Sequence, residues 1–160
     1  MEPIIKTFSE KKLVGKRMVM TFARNSTGEL WKSFMQSRKE IPNNIGSDLY
    51  SIQIYPPGFF EMYDKNLEFE KWATMEVSDF TVLPDGMESF VLPSGLYAVF
   101  DYQGLPTEAG PTFQYILRTW IPNSDYDLDD RPHFEILGER YKKDDPSSEE
   151  EIWIPIRPKV

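Results

Sequence analysis

The chain opens its ordered pattern with Lys12 to Phe22, where Leu13, Val14, Met18, Val19, Met20 and Phe22 cluster among β-forming neighbours and predict a strand, bent or bulged at Gly15. The spacing then lengthens. Leu30, Trp31, Phe34 and Met35 mark one face of a helix whose start is signalled by Ser26 with Glu29, a capping-box pair, and whose end is forced by Pro42. Asn43-Asn44-Ile45-Gly46 has the composition of a turn. Asp48 to Tyr55 alternates as a strand until Pro56-Pro57-Gly58, and Lys71 to Val77 is a further strand. In the second half, Gly86 to Phe90 and Leu96 to Tyr102 are strands divided by Pro93-Ser94-Gly95. Gly110-Pro111 opens a helix carrying Phe113, Ile116, Leu117 and Trp120 at helical spacing, closed by Pro122. His133 to Leu137 and Glu150 to Ile156 follow as strands joined by the polar loop Lys142 to Ser148.

The order is strand, helix, strand, strand, written twice. It predicts an α+β fold of two pseudo-symmetric modules, about 1–80 and about 81–160, forming a single domain with antiparallel sheets around a central ligand cleft. One helix covers only one side of a small sheet, so two halves bury more by meeting than either does alone.

Side-chain alternation sorts each strand into two faces. The sets Tyr50, Ile52, Ile54 and Phe134, Ile136 are apolar and are assigned to the helix side, as are Ala73, Met75, Val77 and Ile152, Ile154, Ile156. That leaves Tyr55 with Ser51 and Gln53, Trp72 with Glu76, His133 with Glu135, and Glu151 with Trp153 on the other face. An aromatic wall holding one or two carboxylates suits a lipophilic cation, through ring-face attraction and a counter-charge strengthened by water exclusion. The same carboxylate, desolvated, serves equally as a ligand contact or a general acid/base.

Charge sharpens this picture. With 18 Lys and Arg against 26 Asp and Glu, the net charge of −8 disfavours a direct nucleic-acid surface and favours cations. The absence of Cys excludes disulfides, thiolate catalysis and Cys-based zinc sites, and a single His excludes a His-rich metal site. No phosphate-cradling or dinucleotide glycine loop, no nucleophile elbow and no metal-ligand spacing is present, so no cofactor and no metal is expected. No apolar run reaches the length of a signal peptide core or a membrane span, which predicts a cytoplasmic protein without membrane contact.

The runs Gly95 to Gly104, Trp120-Ile121-Pro122-Asn123-Ser124, Arg131-Pro132-His133-Phe134-Glu135 and Glu151-Ile152-Trp153-Ile154-Pro155-Ile156 resemble the GyrI-like family, the effector-binding domains of AraC- and MerR-type transcription activators. Phe69-Glu70-Lys71-Trp72-Ala73 carries a fainter likeness in the first half. The resemblance implies tandem SHS2-like modules with the ligand between them, and it places the family's buried, ligand-contacting glutamate at Glu135. It also implies a choice of roles: multidrug sensing, ring-opening hydrolysis of cyclopropane-bearing DNA alkylators, or inhibition of DNA gyrase.

Three functional expectations follow. In the first, the protein binds hydrophobic cationic aromatics through Glu135, Glu151, Glu76, Trp72, Trp153, Tyr55 and Trp120, with a separate DNA-binding partner if it takes part in transcription. In the second, Glu135 is the catalytic acid or base of a hydrolase. In the third, the acidic stretches Asp127 to Asp130 and Asp144 to Glu151 imitate nucleic acid toward a gyrase partner, against the simpler reading that they are solvated turns.

Overall fold

The computed structural model describes residues 1–160. The chain runs β1 (Ile4–Phe8), β2 (Lys11–Met20), α1 (Thr27–Ser37), β3 (Asn44–Ile54), β4 (Phe69–Val77), β5 (Glu88–Leu92) and β6 (Gly95–Gln103). It continues through a helical run α2 (Gly110–Tyr115, then Ile116–Trp120 and Ile121–Asn123), β7 (Tyr126–Leu128), β8 (His133–Leu137) and β9 (Glu149–Pro158).

The expected pair of small sheets is one sheet of nine antiparallel strands, ordered β1-β6-β9-β8-β3-β4-β2-β5 with β7 added beside β9. The β3–β8 ladder is the seam that joins the halves. The internal repeat is legible in the numbering: a shift of 84 positions carries Ile4 to Glu88, Phe8 to Leu92 and Ser51 to Glu135, so β1 maps onto β5 and β3 onto β8, while the pairs Ser51–Ala73 and Glu135–Ile152 place β4 on β9 at a shift of 79 because the second connecting segment is shorter. Each half lends its first strand to the other, since β1 pairs with β6 and β5 with β2. Only Ser9-Glu10 separates β1 from β2, and only Pro93-Ser94 separates β5 from β6. The register Ile4↔Val99, Phe8↔Gly95, Lys11↔Leu92, Gly15↔Glu88 runs on unbroken, so the four strands make one long ribbon and the sheet curls back on itself.

Curling explains why both faces of the strands are apolar. On the outer face α1 sets Leu30 and Phe34 against Val14, Ala73, Met75 and Val77, and α2 sets Ile116 and Ile121 against Ala98, Phe100, Ile152 and Ile154. The inner face is filled by Phe8, Leu13, Tyr50, Ile52, Trp72, Leu92, Tyr97, Phe134 and Trp153, with no helix among them. Trp72 and Trp153 therefore lie on the helix-free face, as alternation predicts. Tyr50, Ile52, Ile54, Phe134 and Ile136 share that face, which corrects their assignment to the helix side. It follows that Ser51, Gln53, Tyr55, His133 and Glu135 stand on the helix-bearing face. An apolar stripe identifies the helix side only when the opposite side meets water, and here it meets an aromatic core.

Local signals are also adjusted. Ser26 makes no side-chain cap; Asn25 Oδ1 instead accepts the Thr27 backbone N–H at 3.0 Å. Pro42 acts as expected, with Ile41 turned extended ahead of it. Pro122 sits inside the last turn of α2, and the preceding Ile116–Trp120 widens into π-helical geometry. That widening relieves the clash between a proline ring and the carbonyl four residues back. The irregularity expected at Gly15 falls in β3, where the register shifts between Asn44 and Leu49 around Gly46 at φ 68°.

Candidate functional site

Where the halves meet, β3 and β8 pair Ser51 with Glu135 and Gln53 with His133, on the helix-bearing face. The helix α1 packs on β2 and β4 and α2 packs on β6 and β9, so the seam occupies the strip of sheet left between the two helices, the seam cleft. The Ser51–Glu135 pair marks the internal two-fold. Lys71 lies across β4 from Gln53, and Glu150 lies on β9 one step past the Ile136–Glu151 pair. The segment after β3 covers one end of the seam: Tyr55 meets His133 at 4.9 Å between ring centroids and Phe60 meets it at 5.8 Å. The backbone N–H of Tyr141 donates to Gly138 O and that of Ser148 to Asp145 O within the segment after β8.

Glu135 is 8% exposed. Its Oε1 accepts a hydrogen bond from Gln53 Nε2 at 3.2 Å, while its Oε2 is buried with no partner. Burial pushes its carboxyl up to about 7, against the opposing pull of the Lys71 ammonium. Glu150 is likewise pushed up to about 7, by burial and by the charge of Glu135. Burial lowers Lys71 and raises the phenols of Tyr55 and Tyr141, both of which also feel Glu135. The same desolvation drops His133 to about 3, so its imidazole stays neutral. A carboxylic acid poised near neutrality, half-satisfied and under aromatic cover can bind a cation after losing its proton, or hold and pass a proton.

These shifts predict a pH dependence of folding. A carboxyl raised in the folded state contributes stability that is full below about 4.5 and lost as pH climbs through about 7. His133, depressed when folded, works the other way: its contribution is full above about 6.5 and lost as pH falls toward 3. With two carboxyls against one imidazole, the melting temperature should fall between pH 5 and pH 7.5. Glu135→Gln should flatten that fall, and thermal melts of parent and variant with superimposable pH profiles would contradict the assignment.

The sequence-derived candidates divide between the two faces. Glu135 and Tyr55 meet in the cleft. Trp72 and Trp153 are in the inner core, their indole N–H groups donating to Glu70 and, at 3.1 Å, to Glu151. Glu76 pairs with Lys11 at 3.5 Å. Trp120 packs edge-on to Phe100 and stacks with Tyr126, lining a separate open groove of about 420 Å³ with Glu2 and Asp125. The acids of that groove are exposed, so water screens them as it does not screen Glu135. Within the stretch Asp127 to Asp130, Asp129 is held by Arg131 at 2.8 Å and Arg157 at 3.6 Å. Arg131 also donates to the carbonyls of Leu96 and Ile156 and lies 4.6 Å from the Tyr97 ring centroid, bracing β6 against β9. Gln53, Lys71, Glu150 and Tyr141 join the cleft without having been singled out. The usable signal was a charged residue heading an apolar set: Lys71 before Ala73, Met75 and Val77, and Glu150 before Ile152, Ile154 and Ile156.

No helix is long and apolar enough to cross a membrane. The profile of a family described as GyrI-like small molecule binding domain matches residues 1–157. The chain is 27% identical over 146 residues to the transcriptional regulator BrlR of Pseudomonas aeruginosa, covering 90% of this chain and 51% of the regulator. It thus spans about half the length of that relative. The protein SAV2435, solved bound to tetraphenylphosphonium, has a TM-score of 0.75 at 16% identity, covering 98% of this chain and 94% of the other. The C-terminal domain of EcmrR also gives 0.75, at 18% identity over 99% and 98% of the two chains. A structure described as a hydrolase of Listeria innocua gives 0.60, at 13% identity over 98% and 92%. At these identities the likenesses establish the fold.

Proposed function

As the chain belongs to the GyrI-like small molecule binding domain family, we propose that its seam cleft captures hydrophobic aromatic cations, with Glu135 as counter-charge and Tyr55 as a ring wall. The observation that carries this reading is the buried Glu135 carboxyl, one oxygen held by Gln53 and the other without a partner, at the meeting of the two halves. A buried charge lacking a partner is costly, and a cation delivered to it regains that cost. The tetraphenylphosphonium bound by SAV2435 supports the same ligand class. Relatives that are transcriptional regulators support a sensing role for the bound molecule.

Tetraphenylphosphonium titrated by calorimetry into the parent and Glu135→Gln is the test. Removing the charge should weaken binding by about two orders of magnitude, the scale of a desolvated ion contact, while the fold persists. Equal affinity in the two proteins would end the assignment of Glu135.

A second reading, hydrolysis of a strained electrophile, draws on the same unpartnered Oε2 and on a carboxyl raised to about 7, which suits proton transfer at neutral pH. Incubation with a cyclopropane-bearing alkylator decides it: ring-opened product that disappears in Glu135→Gln supports turnover, and product no faster than in buffer removes it.

A further inference from the structure

The internal two-fold relates residues of matching position, and at the cleft it relates residues of opposite charge. Ser51 maps onto Glu135 at the centre of the β3–β8 ladder. One strand outward, Ala73 beside Ser51 corresponds to Ile152 beside Glu135, and two residues back along each strand Lys71 corresponds to Glu150. The cleft is therefore symmetric in backbone and asymmetric in charge. Its first-half flank presents an ammonium and its second-half flank a carboxyl, with Glu135 between them.

Lys71 is not spent on the protein. It is half-buried on the cleft face, and its ammonium makes neither a hydrogen bond nor an ion pair, whereas Lys11 and Lys16 reach Glu76 and Ser33. A half-buried ammonium without a partner gives up part of its solvation and gains in return only the attraction of Glu135 and Glu150. A lysine needed only for solubility belongs on an open surface, and one needed only for packing would be replaced at less cost by an apolar residue.

We propose that Lys71 forms an anion subsite within the cleft, so that the preferred ligand is a zwitterionic aromatic whose cationic centre faces Glu135 and Glu150 and whose carboxylate or comparable anion reaches Lys71. This rests on the cleft being the ligand site. It adds to that reading a polarity and an orientation. For a simple cation the ammonium is a repulsive neighbour, and for a zwitterion it is a second contact, so one residue both selects and rejects. Tyr55 and Phe60 pack on His133, which pairs with Gln53 beside Lys71, so this end of the cleft is partly shielded from water and the lysine's charge carries further there.

Rhodamine B, zwitterionic at neutral pH, and its ethyl ester, a cation of nearly the same shape, separate these effects. Fluorescence titrations of both dyes are made with the parent, Lys71→Met and Lys71→Arg, after thermal melts establish that each variant folds. In the parent the zwitterion should bind about tenfold more tightly than the ester, the scale of one charged contact. Lys71→Met should weaken the zwitterion and tighten the ester, reversing the order, and Lys71→Arg should preserve the parent's order. If Lys71→Met shifts both dyes equally, or neither, the anion subsite is refuted while the cation cleft stands. If neither dye nor tetraphenylphosphonium binds the parent, the cleft reading falls and the subsite with it. A Lys71→Met variant that fails to fold leaves the parent's own preference as the test, and a parent favouring the ester overturns the proposal.

Discussion

Phe134→Ala should cost about 3–5 kcal/mol of folding stability, the range for emptying a well-packed aromatic site. Phe134 is fully buried on the inner face, stacked with Trp153 at 5.3 Å, tilted against Phe8 at 4.9 Å and edge-on to Tyr97 at 5.2 Å. These neighbours come from β9, β1 and β6, so removing one ring loosens three elements at once. Large rings held by strand backbones on several sides cannot slide together to fill the space, which places the cost toward the top of the range. The seam also passes through this residue: Phe134 pairs with Ile52 across β3–β8 and precedes Glu135. Urea unfolding followed by tryptophan fluorescence measures the loss. A change below about 1 kcal/mol would mean that the inner core is not a closely packed body.

Gly15→Val should be more severe, leaving little folded protein. Gly15 lies between Thr74 and Glu88 in two ladders, and a Cβ built there would come 1.9 Å from the carbonyl oxygen of Ala73. The obstacle is backbone on the neighbouring strand, which no rotamer change moves. Relief requires spreading β2 from β4 where both are buried against α1, breaking ladder hydrogen bonds and opening the outer core. Gly15→Ala tests the argument in milder form, since it adds the same Cβ with nothing beyond it. If soluble expression and the melting temperature of Gly15→Ala match the parent, the close approach is not a constraint. Substitution at Gly28, where nothing lies within 4 Å of a built Cβ, serves as the tolerant comparison.

The elements were legible in the sequence to the extent that period and punctuation were clean. The stripe Ile152, Ile154, Ile156 and the helical set Leu30, Phe34 led directly to strand and helix, because each meets a single core. The strands β3 and β8 carried no such polarity. Tyr50 and Ile52 are as buried as the residues under the helices, since the curled sheet leaves no wet face, and alternation then says how residues divide and not which way they point. The strands β1 and β7 escaped notice for the opposite reason: β1 is a short edge with four of five residues exposed, and β7 has three half-buried ones, so neither bears a strong pattern. Glu135 was found through its motif, whereas Lys71 and Glu150 enter the cleft only through pairing across strands, which a linear pattern does not express.

The shared ribbon restricts how anything can enter the cleft. With β1 bound into the second half and β5 into the first, the two halves are stitched together at their outer edges as well as at the seam, and they cannot swing apart like a clam shell without tearing the stitching. Under the function proposed above, a guest would instead be admitted past the segments that follow β3 and β8, 55–68 and 138–148, and not by parting of the halves. On that same reading, the ribbon-bound floor would set what is attracted, and the segments lying over it would set what can leave.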